Sequence, residues 1–343
     1  MKHFSSKALI AALASAVAGI GFMASTVLYA AGPDGYPNRP ITVICCYGKG
    51  GGSDQAVDAI VGPAAKIMNA KINKINITGG GGLNCLPEFL QAPADGYTLL
   101  QHIDTLPSRY VEGRIDLNPV TDVEPLVIMN VAPTMLFINA DDDRFQTDGV
   151  PDWDKLVEYA KSESEKLTVS NINIPMELVS MAVVENHFGF KSRQVLTGKS
   201  GERFGAVIGG QLDVLMEQPG DVSKYVEGGN LKPILALWPT RFENFPDTKA
   251  LGSDYGLDWE PLLRFRGMFT KKGTPPEIVE YLAEVFAEAY NSEEHQQFVV
   301  RKSLDIVDSF RSRADTVKIL EDSVGVYTEA FKELGLPIRD ELK

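Results

Sequence analysis

The chain has 343 residues, of which 44% are hydrophobic and 23% charged, enough to bury one large core or two ordinary ones, and this excludes a disordered chain. Its 33 basic and 46 acidic residues leave a formal net charge of −13, which excludes nucleic acid and anionic membrane as partners recruited by bulk attraction. Three cysteines and four histidines, with no CxxC pair and no clustered histidines, point to no metal site and no cofactor.

The chain opens with basic MKHFSSK, a long small-residue apolar run and alanines at Ala30 and Ala31, the pattern of a cleavable signal peptide over residues 1–31. The competing reading is an uncleaved anchor, but Gly19 and Gly21 dilute the run, no second spanning segment follows, and no cysteine stands near the cleavage point to carry a lipid. Export places Cys45, Cys46 and Cys85 in an oxidising compartment. A bond between sequence neighbours is strained, so any pair joins Cys85 to Cys45 or Cys46; the reading taken is three small buried apolar side chains.

After the leader, ITVICCY is β-branched and uncharged and reads as a buried strand. It runs into GKGGGSD, where Gly48, Gly50, Gly51 and Gly52 precede the helix-capping types Ser53 and Asp54. So bare a loop either turns tightly or brings backbone N–H groups against an anion. DQAVDAIVGPAAKIMNA then reads as a helix kinked near Pro63, and KINKINI as a second strand. A second glycine run at 79–82 opens a further helix over 83–91. APADGYTLLQ gives a turn and a strand, and PLVIMNVAPTMLFINA two more apolar runs. WDKLVEYAKSESEKL is an amphipathic helix, KLTVSNI a strand, and MELVSMAVVENHFGF a helix ending at Gly189. SRQVLTG, FGAVIGGQLDVLMEQ and LKPILALWP continue the alternation. RFRGMFTKKGTPPEIVEYLAEVFAEAY closes with a strand, a turn and a Pro-opened helix, followed by a last helix over 313–334. Such alternation predicts α/β layers with mostly parallel sheets.

The ordered segments YPNRPITVICCYGKGGGSD, GGGGLN, APADGYTLL, GGQLDVLMEQP and GMFTKKGTPPEIVEYL resemble the extracytoplasmic solute receptors of tripartite tricarboxylate transporters, also called Bug-type receptors. The likeness spans residues 36–336. It implies a two-lobed periplasmic binding fold, type II-like, closing as a Venus flytrap on a small organic carboxylate and handing it to membrane permease subunits. It also implies a monomer in the periplasm. The chain would cross between lobes near 137–139 and 266–268, so that residues 36–137 with 268–343 form one lobe and 138–267 the other.

In such receptors the two glycine-opened helices point their N-termini into the cleft, where amide groups and helix dipoles suit a carboxylate. Gly51, Gly52, Ser53 and Asp54 are then one half of an anion cradle, and Gly81, Gly82 and Asn84 the other. Asp54 is either a helix cap or an acceptor for a ligand hydroxyl, Ser53 a donor or a cap, and Tyr47 a ligand cover or a core aromatic. The second-lobe side departs from the family pattern. In VSNINIPMELVS, Asn171 and Asn173 are polar, but Pro175, Met176 and Leu178 stand where small residues and a histidine are usual, so an aromatic or longer carboxylate becomes the expected ligand. Arg266, at a position that is commonly aromatic, is either a clamp for a second carboxylate or one side of an interlobe salt bridge, and Arg264 shares its side of the strand. Lys199, Glu217 and Gln218 are further cleft candidates.

Two other functions compete with this one. An enzyme would need Ser53 to have a base, and His102, His187 and His295 offer none in a recognisable pattern, while the loop lacks the GK[ST] ending and the GxGxxG spacing of nucleotide cradles. A sensor feeding a membrane kinase would use the same lobes and the same closure, so the residues do not separate it from a transport receptor.

Overall fold

The computed structural model describes residues 32–343 except 173, 198, 199, 259–261 and 263, with only the backbone at 200. The expected leader and the candidates Asn173 and Lys199 lie outside the described residues. No described helix is long and apolar enough to cross a membrane.

The first lobe starts with β1 (Ile41–Cys45), whose uncharged run is buried on both faces, and α1 (Gly52–Met68), which continues through Pro63 as one helix. β2 (Ile72–Asn76), α2 (Leu86–Gln91), β3 (Thr98–Ile103), α3 (Thr105–Val111) and β4 (Val123–Ala132) follow. The second lobe holds β5 (Met135–Asn139), a small hairpin of β6 (Gln146–Thr147) and β7 (Val150–Pro151), α4 (Trp153–Lys161) and β8 (Thr168–Asn171). It continues with α5 (Pro175–Phe188), β9 (Arg193–Leu196), α6 (Ser200–Ile208), β10 (Val214–Glu217), α7 (Pro219–Glu227), β11 (Leu231–Ala236) and α8 (Leu251–Tyr255). The chain then returns as β12 (Arg264–Lys271), α9 (Pro276–Asn291), α10 (Glu293–Arg301) and α11 (Arg313–Leu334).

Each lobe has a five-stranded sheet, ordered β2-β1-β3-β12-β4 in the first and β11-β5-β10-β8-β9 in the second. Four of the five strands in each sheet run in one direction, and one inserted strand, β12 or β5, lies antiparallel to both neighbours. The sheets are mostly parallel, as the alternation predicted, and each is made mixed by its one antiparallel strand. The inserted strand is in both cases the one that arrives from the other lobe, and its direction is set by the crossing, which no local pattern encodes. Pro133 and Thr134 join β4 to β5, so Phe137 is inside a second-lobe strand, and Arg266 is inside a first-lobe one. Separate apolar clusters fill the two lobes; that of the first includes Val43, Ile60 and Phe286, that of the second Trp153, Val169 and Met216.

Cys46 is bonded to Cys85 with Cα atoms 5.3 Å apart, and Cys45 is a buried thiol. This corrects the reading of three unpaired cysteines. Successive strand residues face opposite sides, so Cys45 packs into the α1 face of the sheet while Cys46 meets Cys85 on the other.

Candidate ligand-binding site

The first glycine loop ends in α1, whose N-cap is Gly51 and has no side-chain cap. The Gly50 amide donates to Asp54 Oδ2 at 2.8 Å, and Asp54 Oδ1 accepts from Asn76 at 2.8 Å and from the Lys74 ammonium. Burial alone would raise the Asp54 carboxyl, but the Lys74, Gly50 and Asn76 donors outweigh it and hold it below the ordinary carboxylate range. Both oxygens of Asp54 are thus engaged by its own loop and β2. Ser53 is buried in the first turn, and Gly51 rather than Ser53 occupies the cap position.

Across this helix start lies Arg266. A Cβ on Gly52 would stand 2.1 Å from Arg266 Nη2 and 3.1 Å from Asp221 Oδ2, so only glycine lets the guanidinium lie over the first turn. Arg266 Nη1 donates to Gln218 Oε1 at 3.1 Å, and Nη2 sits 3.3 Å from Asp221 Oδ2, which ties β12 of one lobe to the start of α7 in the other. The positive start of α1 and a cation would repel without a shared anion, and Asp221 supplies it. Arg266 and Gln218 are 7% and 3% exposed, and Arg266 Nε and Gln218 Nε2 have no partner among the described residues. The small cavity they line, about 10 Å³, also meets Ala132, Gly220 and Lys302.

Deeper between the lobes runs a buried chain of charges. Arg264 Nε is 3.0 Å from Asp104 Oδ1, its Nη2 is 3.3 Å from Glu177 Oε1, and Glu177 is 3.6 Å from Arg203, which pairs with Glu217 at 3.0 Å. Glu177 Oε2 also accepts from the Ile172 amide at 2.9 Å, and Arg203 donates to the Met216 carbonyl at 2.7 Å. Burial pushes Asp104 up to about 6, the Arg264 charge only partly offsetting it, and burial likewise raises Glu217 against the pull of Arg203. Because the folded-state value of Asp104 lies above its ordinary one, its contribution to stability is present at acid pH and is lost as pH rises through about 6. Urea unfolding at pH 4.5 and 7.5 is therefore expected to show wild type losing about 2 kcal/mol relative to Asp104→Asn across that interval. A constant difference between the two proteins would contradict the assignment.

The second glycine loop differs from the first. Gly79, Gly80, Gly81 and Gly82 all have positive φ, between 61° and 113°, and the turn they begin runs on to Cys85, so α2 starts at Leu86, three residues later than expected, and is too short to offer a dipole. Asn84 folds back onto its own loop, donating to the Thr78 carbonyl at 3.2 Å. His102, kept neutral by burial, lies 2.9 Å from the Gly82 carbonyl through Nε2, while its Nδ1 accepts from the Ile103 amide at 3.0 Å. Tyr47 stands behind the loop, its hydroxyl 2.8 Å from Thr105 Oγ1. Gly80 and Gly81, with Leu83, Arg109, Arg114, Ile172 and Ile174, line an open hollow of about 400 Å³ between the lobes.

Of the sequence candidates, Gly52, Gln218 and Arg266 meet in one crevice, and Gly81 lines the separate hollow. Tyr47, Asp54, Asn84 and Asn171 each hydrogen-bond within their own lobe; Asn171 is fully buried and donates to Gln194 at 2.7 Å. Sequence reasoning missed Asp104, Glu177, Arg203 and Asp221. One signal was available: α5 is apolar on nearly every side, so an acid in its first turn had to be buried against a cation.

The model of the "Tripartite tricarboxylate transporter family receptor" matches residues 63–336. The "UPF0065 protein in gbd 5'region" of Cupriavidus necator is 27% identical, with 98% of each chain covered. Among solved structures, a Rhodopseudomonas palustris protein with adipate shares the fold at TM-score 0.76 and 17% identity, covering 88% of this chain and 99% of its own. MatC of the same species, with bound malate, gives 0.71 and 17%, covering 86% and 99%. The chain belongs to the tripartite tricarboxylate transporter receptor family, and is accordingly a solute-binding receptor and not an enzyme.

Proposed function

We propose that the protein, exported to the periplasm by residues 1–31, captures a small organic dicarboxylate between its lobes and delivers it to the permease of a tripartite tricarboxylate transporter. The observation that carries this reading is the meeting of Arg266, the start of α1 and the start of α7 in one interlobe crevice, where three sources of positive potential converge on a carboxylate. One carboxylate of the ligand sits at Arg266. The separate hollow lined by Leu83, Ile172 and Ile174 offers the apolar surface that suits a longer chain or an aromatic ring. Similarity to family members bound to malate and adipate supports the ligand class.

The test is a thermal-shift screen of the mature chain against linear dicarboxylates, hydroxy acids, aromatic acids and monocarboxylates. A dicarboxylate at a hundredfold excess over its Kd is expected to add about 2.7 kcal/mol of stability. If no carboxylate shifts the transition, the reading falls.

A further inference from the structure

We propose that Asp221 sets the charge requirement of this site, as an internal competitor that holds the place a ligand's second carboxylate takes. The inference rests on the dicarboxylate reading above. Three observations carry it. The Asp221 carboxylate lies at the two features an anion would seek, 3.3 Å from Arg266 Nη2 and 3.1 Å from a Cβ position on Gly52 at the start of α1. Two deeply buried donors of the same crevice, Arg266 Nε and Gln218 Nε2, have no partner among the described residues, so the positive side of the site is not saturated by Asp221. The cavity of about 10 Å³ has room for no more than a water, so a carboxylate enters only by displacing a lining group.

Asp221 is the lining group that can yield. A Cβ on Gly220 would stand 1.8 Å from the Lys302 carbonyl, so the α7 backbone is pressed against the turn after α10 and does not retreat. The Asp221 side chain is 24% exposed and swings outward about its own bonds, whereas Ala132, Pro219, Phe298 and Leu304 are apolar packing. A monocarboxylate that spends its one charge elsewhere leaves Arg266 with Asp221. Only a ligand with a second anion replaces Asp221, and it does so against the cost of breaking an existing pair.

The experiment is calorimetry with adipate and hexanoate on wild type, Asp221→Asn, Asp221→Glu and Asp221→Asn/Arg266→Ala. Asp221→Asn is expected to bind adipate about tenfold more tightly, with hexanoate changed less than about twofold. Asp221→Glu should stay near wild type, and the gain should vanish in the double variant. Adipate binding that is unchanged or weaker in Asp221→Asn overturns the role of Asp221 while leaving the dicarboxylate reading standing. Failure of wild type and Asp221→Asn alike to bind adipate, together with a negative carboxylate screen, overturns both.

Discussion

Replacing Arg264 by methionine is expected to cost about 3–5 kcal/mol of stability, because it strips the cation from Asp104 and from one side of Glu177 at a site closed to water. Glu177 keeps Arg203 and the Ile172 amide. Asp104 keeps nothing comparable, since among the described residues none donates a hydrogen bond to either of its side-chain oxygens, so it must remain a bare buried charge or take up a proton. Asp104→Asn in the Arg264→Met background should therefore recover part of the loss, which a general packing defect would not do. Urea titrations of the two single variants and the double variant measure the coupling. A loss below about 1 kcal/mol for Arg264→Met would show that the buried charges contribute little to holding the lobes together.

The disulfide carries the second large effect. Cys46 follows β1 and Cys85 opens the turn into α2, so the bond ties the strand that feeds the first glycine loop to the end of the second. Closing a loop of 39 residues limits the unfolded chain, and removing it by Cys46→Ala/Cys85→Ala is expected to lower stability by about 4 kcal/mol. Added reductant should lower the wild-type urea midpoint and leave that of the double variant unmoved. Equal stability of wild type and variant under oxidising conditions would contradict the constraint.

Much of this architecture was legible in the residues. The alternation of uncharged β-branched runs with amphipathic stretches marked α1, α9 and the long α11 from Arg313 to Leu334, an apolar run ending at Gly189 marked α5, and the glycine runs marked the loops after β1 and β2. Three features were not legible, each for a physical reason. The antiparallel direction of β5 and β12 follows from where the chain crosses between lobes, a long-range property. The late start of α2 at Leu86 follows a turn that continues through Leu83, Asn84 and Cys85, where the Asn84 side chain bonds back to the Thr78 carbonyl, a contact with no signature in composition. The pairing of Cys46 rather than Cys45 depends on which face of β1 meets Cys85, and neither neighbour is distinguished by composition.

The site was half legible. Gly52 and Arg266 stood out as a bare helix start and as a charge in an apolar strand, and both reach the same crevice. Their partners Gln218 and Asp221 come from the other lobe at a separation of 45 to 48 residues from Arg266, and that pairing has no local signature. Glu177 stands beside Pro175 and Met176, which replace the small and histidine positions of the family pattern. This acid fills that place in the interlobe charge chain instead.

The most direct measurement is the change in Kd on Arg266→Ala, read by calorimetry for adipate and hexanoate in parallel. If a guanidinium at the start of α1 grips one end of the ligand, adipate should weaken by about a hundredfold while hexanoate weakens by less than about threefold. Equal weakening of both, or no weakening of either, would contradict an anion site built from Arg266 and that helix start.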